Sequence, residues 1–399
     1  MKLSTERILT THVGSLARPP DLFDMIAARA SGQPYDAAAF DARVRQAVAY
    51  VVRRQAELGI DIIDDGEQGK PGFVAYIGER LAGFEVRPAV QQGPTGPEAG
   101  SRELQSFPEF YAQSARRPAA TTAVPPMRIV CTGPITYIGR DAVQRDIETF
   151  KAALQGVRYA EAFLPAISVT NIESGRRNEY YRTEDEFLEA IAKAIHEEYR
   201  AIVDAGFVLQ IDDPRLSTYY NAMPALSLAE CRRWAEKRVE FVNLAIGDIP
   251  PDRVRFHTCY SIDIGPRVHD MPLKDIVDIM LKVNAGAYSF EASNPRHEHE
   301  YHVWEKVRLP EGRAIIPGVI SHTTNLVEHP ELIGERIVRF ARAVGREHVI
   351  AGADCGFSAQ ARRDPDIHPS VVWAKFEALA EGARLATKEL WGGDTSGPH

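Results

Sequence analysis

The sequence predicts a (β/α)8 barrel with insertions in its βα loops, and three observations carry the prediction. Short apolar runs of β character alternate with longer stretches whose apolar residues recur at helical spacing. That alternation is the pattern of a parallel sheet joined by crossover helices. Most of the β-type runs end in polar residues, as strands do when they open onto the catalytic face of a barrel. A chain of 399 residues accommodates one such barrel as a single domain spanning 1–399.

The β-type runs, in order, are ILTTHVG (8–14), IDIIDDG (60–66), MRIVCTG (127–133), AISVTN (166–171), FVLQID (207–212), RVRFHTC (253–259), AYSFEA (287–292), AIIPGVI (314–320) and HVIAGAD (348–354). This is one run more than a barrel takes. AISVTN fits least well with the converging polar ends, so it is assigned to an insertion, residues 143–205, between barrel strands three and four. A nine-stranded open sheet is the alternative. Amphipathic helices are expected over 37–58, 182–205, 226–246, 329–344 and 369–390. Residues 85–126, dense in Pro, Gly, Ala and Ser, predict a long lid-like loop, and 172–183 an overhang at the site. The tail from Gly392 reads as a frayed end.

Hydrophobic residues at 44% and charged residues at 26% are ordinary for a globular chain. A net charge of −8 without a basic stripe argues against nucleic acid or an anionic membrane as partner. No apolar run is long enough to span a bilayer, and Met1–Arg7 lacks the apolar core of a signal peptide. The cysteines, Cys131, Cys231, Cys259 and Cys355, are too few for a disulfide framework, so reduced thiols and a cytoplasmic location are expected. No glycine-rich phosphate loop follows a strand, which leaves nucleotide chemistry without support.

The chemistry concentrates in four residues. His257 and Cys259 lie two apart at a strand end, so their side chains share a face. Glu291 ends the next run, and Cys355 follows the last one between glycine-rich turns. Strand ends converge on one face of a barrel, which brings the four within reach of one ion. Thiolate and imidazole donors select zinc over magnesium or calcium. Two thiolates and a carboxylate against Zn²⁺ leave the centre at −1. Such a centre polarises carbonyls poorly, yet it deprotonates an incoming thiol and keeps it electron-rich. Glu291 is the weakest of the four ligands and the first to yield to an arriving sulfur. On spacing alone, buried core thiols remain the competing reading.

At these residues the chain resembles the cobalamin-independent methionine synthase family, specifically its catalytic domain in a short, single-barrel form. The resemblance rests on THVGSLARP (11–19), DDGEQGKPGFVAYIGERL (64–81), TGPIT (132–136), LQIDDP (209–214), FHTC (256–259), FEAS (290–293), PGVISH (317–322) and GADCGF (352–357), all in order. It implies a (β/α)8 barrel and a zinc-dependent methyltransferase that acts on the thiol of homocysteine. It also implies His257, Cys259, Glu291 and Cys355 as zinc ligands and Ser15 as the holder of the amino acid's carboxylate. Glu67 and Asp212 match the acids that hold its ammonium group. His322 matches a histidine near the metal that handles a proton. The expected partners are a small thiol and a methyl donor.

Two departures bear on the donor. The second, N-terminal barrel of full-length methionine synthases has no counterpart here. GPITYIGRDAV (133–143) lacks the pterin-stacking tryptophan, and Tyr137 is shifted from that position. Short relatives include an epoxyalkane:coenzyme M transferase, which is the alternative reading, and a non-catalytic zinc-binding relative is a third. A sulfonate-bearing thiol would call for Arg or Lys rather than Glu67 and Asp212. Elsewhere, His297, His299 and His302 form no H-E-x-x-H motif and read as a polar lead into a helix. Arg296 beside them is a candidate for an anionic substrate group. Cys131 and Cys231 read as core thiols. Tyr219, Tyr220 and Asn221 read equally as pocket wall or loop packing.

Overall fold

Parallel strands buried on both faces read as near-continuous apolar runs, and eight such strands build the centre of this chain. The computed structural model describes residues 1–87, 100–114, 123, 128–260 and 265–392. Its strands are β1 (Leu9–Thr10), β2 (Ile62–Ile63), β3 (Leu81–Arg87), β4 (Arg128–Tyr137), β5 (Glu161–Ile167), β6 (Arg176–Asn178), β7 (Val208–Asp212), β8 (Val254–His257), β9 (Ala287–Phe290), β10 (Ala314–Ile320) and β11 (Ile350–Ala353). The main sheet runs β1-β11-β10-β9-β8-β7-β5-β2. Its neighbours pair in parallel, and a parallel bridge between Thr11 and Ile62 links β1 to β2, so the eight strands form a barrel.

The barrel is filled from its own strands. Leu9, Ile62, Phe163, Val208, Ala287, Ile316 and Ile350 pack as a cluster separate from the larger core between strands and helices. Above Phe163 lies Arg255, buried with its guanidinium 4.0 Å from the ring centre, donating to Thr11 Oγ1 and the His12 carbonyl. The outer helices are set by local signals. Thr183 with Glu186, and Ser227 with Glu230, form capping boxes at the starts of helices Glu184–Asp204 and Leu228–Ile246.

One strand assignment is corrected. MRIVCTG is not in the barrel. β4 pairs antiparallel with β3 and parallel with β6, in a separate three-stranded sheet. The third barrel strand is β5, of which AISVTN catches only the last two residues before turning into the helix Val169–Glu173. Burial explains the difference. β5 is buried at every position after Glu161, whereas β4 alternates between covered and open residues, as a sheet with one wet face does. Most of the inserted sheet, β3 and β4, therefore lies between barrel strands two and three, and only the short β6 between three and four. Residues 143–205 contain most of one crossover helix (Arg140–Ala153), β5, and the helix leading to β7.

The expected loop 85–126 begins inside β3, and its described part carries helices Arg102–Ser106 and Pro108–Ser114. Residues 88–99, 115–122 and 124–127 lie outside the described residues, as does the tail from 393. No helix among the described residues is long and apolar enough to cross a membrane.

Candidate metal centre and thiol pocket

β8 ends at His257, and Cys259 follows two residues on, so both side chains leave the strand on one face. Cys355 stands two residues beyond β11. Its neighbour Gly356 packs so tightly on Ser15 that a Cβ there would come within 2.1 Å of the Ser15 hydroxyl. The two sulfurs, both free thiols, lie 3.2 Å apart. His257 Nε2 is buried without a hydrogen-bond partner, while Nδ1 lies 3.2 Å from Ser289 Oγ, a contact that orients the ring. The imidazole nitrogen and both sulfurs fall within 4.8 Å of one another. Burial, then the nearby Arg255 charge, lowers the His257 pKa to about 3, so the ring is the neutral form that a metal requires. A buried imidazole with an unpartnered nitrogen, grouped with two buried thiols, is a donor set suited to zinc.

Glu291 stands beside this trio in a second group, with His322 and Asp354. Its carboxylate is already occupied. Oε1 accepts from the Tyr260 amide at 2.6 Å, and Oε2 accepts from Asn294 Nδ2 at 2.7 Å and the Arg267 guanidinium at 2.9 Å. Asp354, which the sequence reading missed, accepts from the amides of Ala292 and Ser293 and from the Ser293 hydroxyl at 2.7–2.9 Å. It thereby fixes the backbone just after Glu291. Burial first, and the Glu291 charge second, raise the Asp354 pKa to about 6. The available signal was its place one residue before Cys355, on the opposite face of the strand end.

A cavity of about 500 Å³ opens over the cysteines, and Ser15, Glu67, Asp212 and His257 line it. Glu67 adopts a left-handed backbone at φ 54°, and one of its buried carboxylate oxygens has no hydrogen-bond partner. Its charge is partly met by Lys70 at 3.5 Å and Arg18 at 3.9 Å, two cations that the sequence reading did not single out. Asp212 accepts from Gln210 at 2.8 Å. Burial, then the Glu67 charge, holds its pKa well above the ordinary carboxylate value. His322 does not line this cavity. It opens onto an adjoining hollow that shares Gly356, Ala359, Gln360 and Arg362 with it.

The remaining candidates separate. His297 is buried, stacked on Tyr260 at 4.0 Å, and paired with Glu300 and Asp270. No metal-type group forms around His297, His299 and His302 among the described residues. Arg296 donates to the Arg267 carbonyl. Tyr137 gives its hydroxyl to Glu198. Tyr219 stacks on Trp234, and Asn221 reaches the cavity wall. Cys131 and Cys231 are buried core residues.

A barrel whose strand ends carry a thiol-and-imidazole cluster at the floor of a cavity defines a class, the barrel enzymes built around a soft-donor centre. Comparison with known proteins places the chain within that class. The model of the family described as cobalamin-independent synthase, catalytic domain, matches residues 8–163 and 168–368. The chain belongs to this family. A methionine synthase from Sulfurisphaera tokodaii is 24% identical, with 96% of this chain and 93% of that protein covered. A 5-methyltetrahydropteroyltriglutamate–homocysteine methyltransferase from Acidithiobacillus ferrooxidans is also 24% identical over 94% of this chain, which spans only 41% of that relative. Among solved structures, a B12-independent methionine synthase from Shewanella sp. W3-18-1 superposes with a TM-score of 0.68 at 17% identity, covering 97% of this chain and 99% of that one.

Proposed function

We propose that this protein is a cytoplasmic zinc-dependent methyltransferase that transfers a methyl group to the thiol of homocysteine and so makes methionine. One observation carries the reading: the His257, Cys259 and Cys355 donor atoms meet at a cavity that two buried acids, Glu67 and Asp212, also line. His257, Cys259 and Cys355 would hold zinc, with Glu291 as the fourth ligand, and bound zinc would supply a lowered thiol pKa. The chain's own residues do the rest. Glu67 and Asp212 attract the ammonium group, because buried carboxylates are costly without a cationic partner. Ser15, packed against Gly356 beside Cys355, holds the substrate carboxylate end. Held this way, the substrate sulfur and the methyl carbon react as one bound unit, with much of the barrier removed by positioning. His322, grouped with Glu291 and Asp354, handles the proton released from the thiol. Reduced buried cysteines support the cytoplasmic assignment.

Arg215 favours a second reading. It lines the same cavity, and among the described residues no hydrogen bond or ion pair holds its guanidinium, whose neighbour is the Tyr219 ring. An unpaired cation there suits an anionic group, either on the methyl donor or on a sulfonate thiol such as coenzyme M. Calorimetry of the zinc-loaded protein with each thiol separates the two. Homocysteine binding without coenzyme M binding supports the first reading, and the reverse result overturns it.

A further inference from the structure

We propose that Arg267 is a positioning residue that gives Glu291 a resting place off the metal and ties it to docking of the inserted helix Arg102–Ser106. The proposal rests on the reading that His257, Cys259 and Cys355 bind zinc. Glu291 is fully buried, with 0% of its side chain exposed. A buried carboxylate that leaves a metal needs a second partner, since an unpaired one is costly. Arg267 supplies it at 2.9 Å, with Asn294 and the Tyr260 amide completing the shell. Charge favours the exchange. A thiolate that joined the centre while Glu291 stayed would take it from −1 to −2. If Glu291 moves to Arg267, the centre stays at −1 and the carboxylate is neutralised.

Arg267 is itself held from several sides. Its φ of 58° is a conformation that costs a non-glycine residue energy and persists only where its surroundings enforce it. Its Nε donates to Asp270 at 2.9 Å, and its guanidinium sits 5.8 Å from the centre of the Tyr260 ring. Its backbone amide donates to Glu103 Oε2 at 3.2 Å, and the other Glu103 oxygen accepts the His269 amide at 2.8 Å. Glu103 is buried on the inserted helix, which also docks through Ser106 on His269 and Arg102 on the Tyr220 carbonyl. Ser101, the cap of that helix, lines the cavity. One carboxylate, Glu103, therefore fixes the loop that presents Arg267 to Glu291. Docking of the helix Arg102–Ser106 beside the cavity and the resting place of Glu291 are thereby joined at two ends of Arg267.

The test uses cobalt(II)-substituted full-length protein, whose visible spectrum reports exchange of oxygen for sulfur ligands, in wild type, Arg267→Gln and Glu103→Ala. Cobalt affinity without thiol is measured by chelator competition, and homocysteine is then titrated. Both variants are expected to retain cobalt with at least wild-type affinity. Both should bind homocysteine on the order of tenfold more weakly, the scale of a typical coupling between sites. In both, the sulfur-to-cobalt absorption should appear only at correspondingly higher thiol. Unchanged homocysteine titrations in both variants overturn the proposal. So does parallel loss of cobalt and thiol binding in both, which marks a purely structural role. Glu103→Ala guards against misfolding of Arg267→Gln, because it keeps the Arg267 side chain and removes only the contacts that hold its loop. A wild-type protein that binds no cobalt overturns the underlying metal reading instead.

Discussion

Cys259 and Cys355, 96 residues apart in sequence, bring their sulfurs to 3.2 Å without a disulfide. Two buried thiols this close, grouped with a His257 ring that has an unpartnered nitrogen, form a poor core packing arrangement and a good metal site. Cys259→Ala and Cys355→Ala are each expected to abolish stoichiometric zinc and to cut methyl transfer by more than about 100-fold. That exceeds the 10–100-fold cost of losing an outer partner of a metal ligand. Elemental analysis beside a turnover assay checks this. A variant that lacks zinc yet keeps full activity would sink the assignment.

Asp212 and Glu67 share a cavity wall, and burial together with the Glu67 charge raises the cost of ionising Asp212. An incoming ammonium group relieves that cost. Asp212→Asn should therefore weaken homocysteine binding about 10- to 100-fold, the loss of a charge-assisted contact worth about 1.5–3 kcal/mol, with zinc content unchanged. Calorimetry against homocysteine and against a thiol lacking the amino group tests it. Equal weakening toward both thiols would show that Asp212 does not read the ammonium.

The grouping of His257 with Cys259 was legible in the sequence, because strand periodicity sets which residues share a face. His257 and Cys259 lie two apart, and that spacing survives any error in strand ends. The third barrel strand was misread for a related reason. Polar run ends do not distinguish the strands, because the run 127–133 at the start of β4 also ends in polar residues, and Asn171 beyond β5 reaches the cavity. Hydrogen-bonded pairing, which no local pattern records, decided between them. Arg267 was not legible either. It sits in a connecting loop, and its role depends on Glu103 and Glu291, which lie 164 and 24 residues away.

Asp354 grips the two amides that follow Glu291 and so sets where that carboxylate points. Asp354→Asn removes the charge while keeping the shape, and puts a donor where the carboxylate accepted from the Ser293 hydroxyl. Zinc affinity should fall about 10- to 100-fold, as is typical when a partner of a metal ligand is lost. Competition with a chelator measures it. Unchanged affinity would confine Asp354 to a role in folding.

His297 gives the fold a dependence on pH whose direction follows from its surroundings. The ring is buried between Tyr260, Glu300 and Asp270. Burial alone would lower its pKa, but hydrogen bonds to the two carboxylates outweigh that, and the pKa is raised to about 9. The folded state thus binds a proton that the unfolded chain, with a histidine pKa near 6.5, releases earlier. The stabilisation is complete below about pH 6.5 and is lost as pH rises through 9. His297→Gln keeps much of the size and cannot titrate. It should melt several degrees below wild type at pH 6, the effect of about 2–3 kcal/mol, and the gap should close by pH 10. Paired melting curves across this range decide the matter. A constant gap would mean that His297 stabilises the loop by packing on Tyr260 and not by its charge.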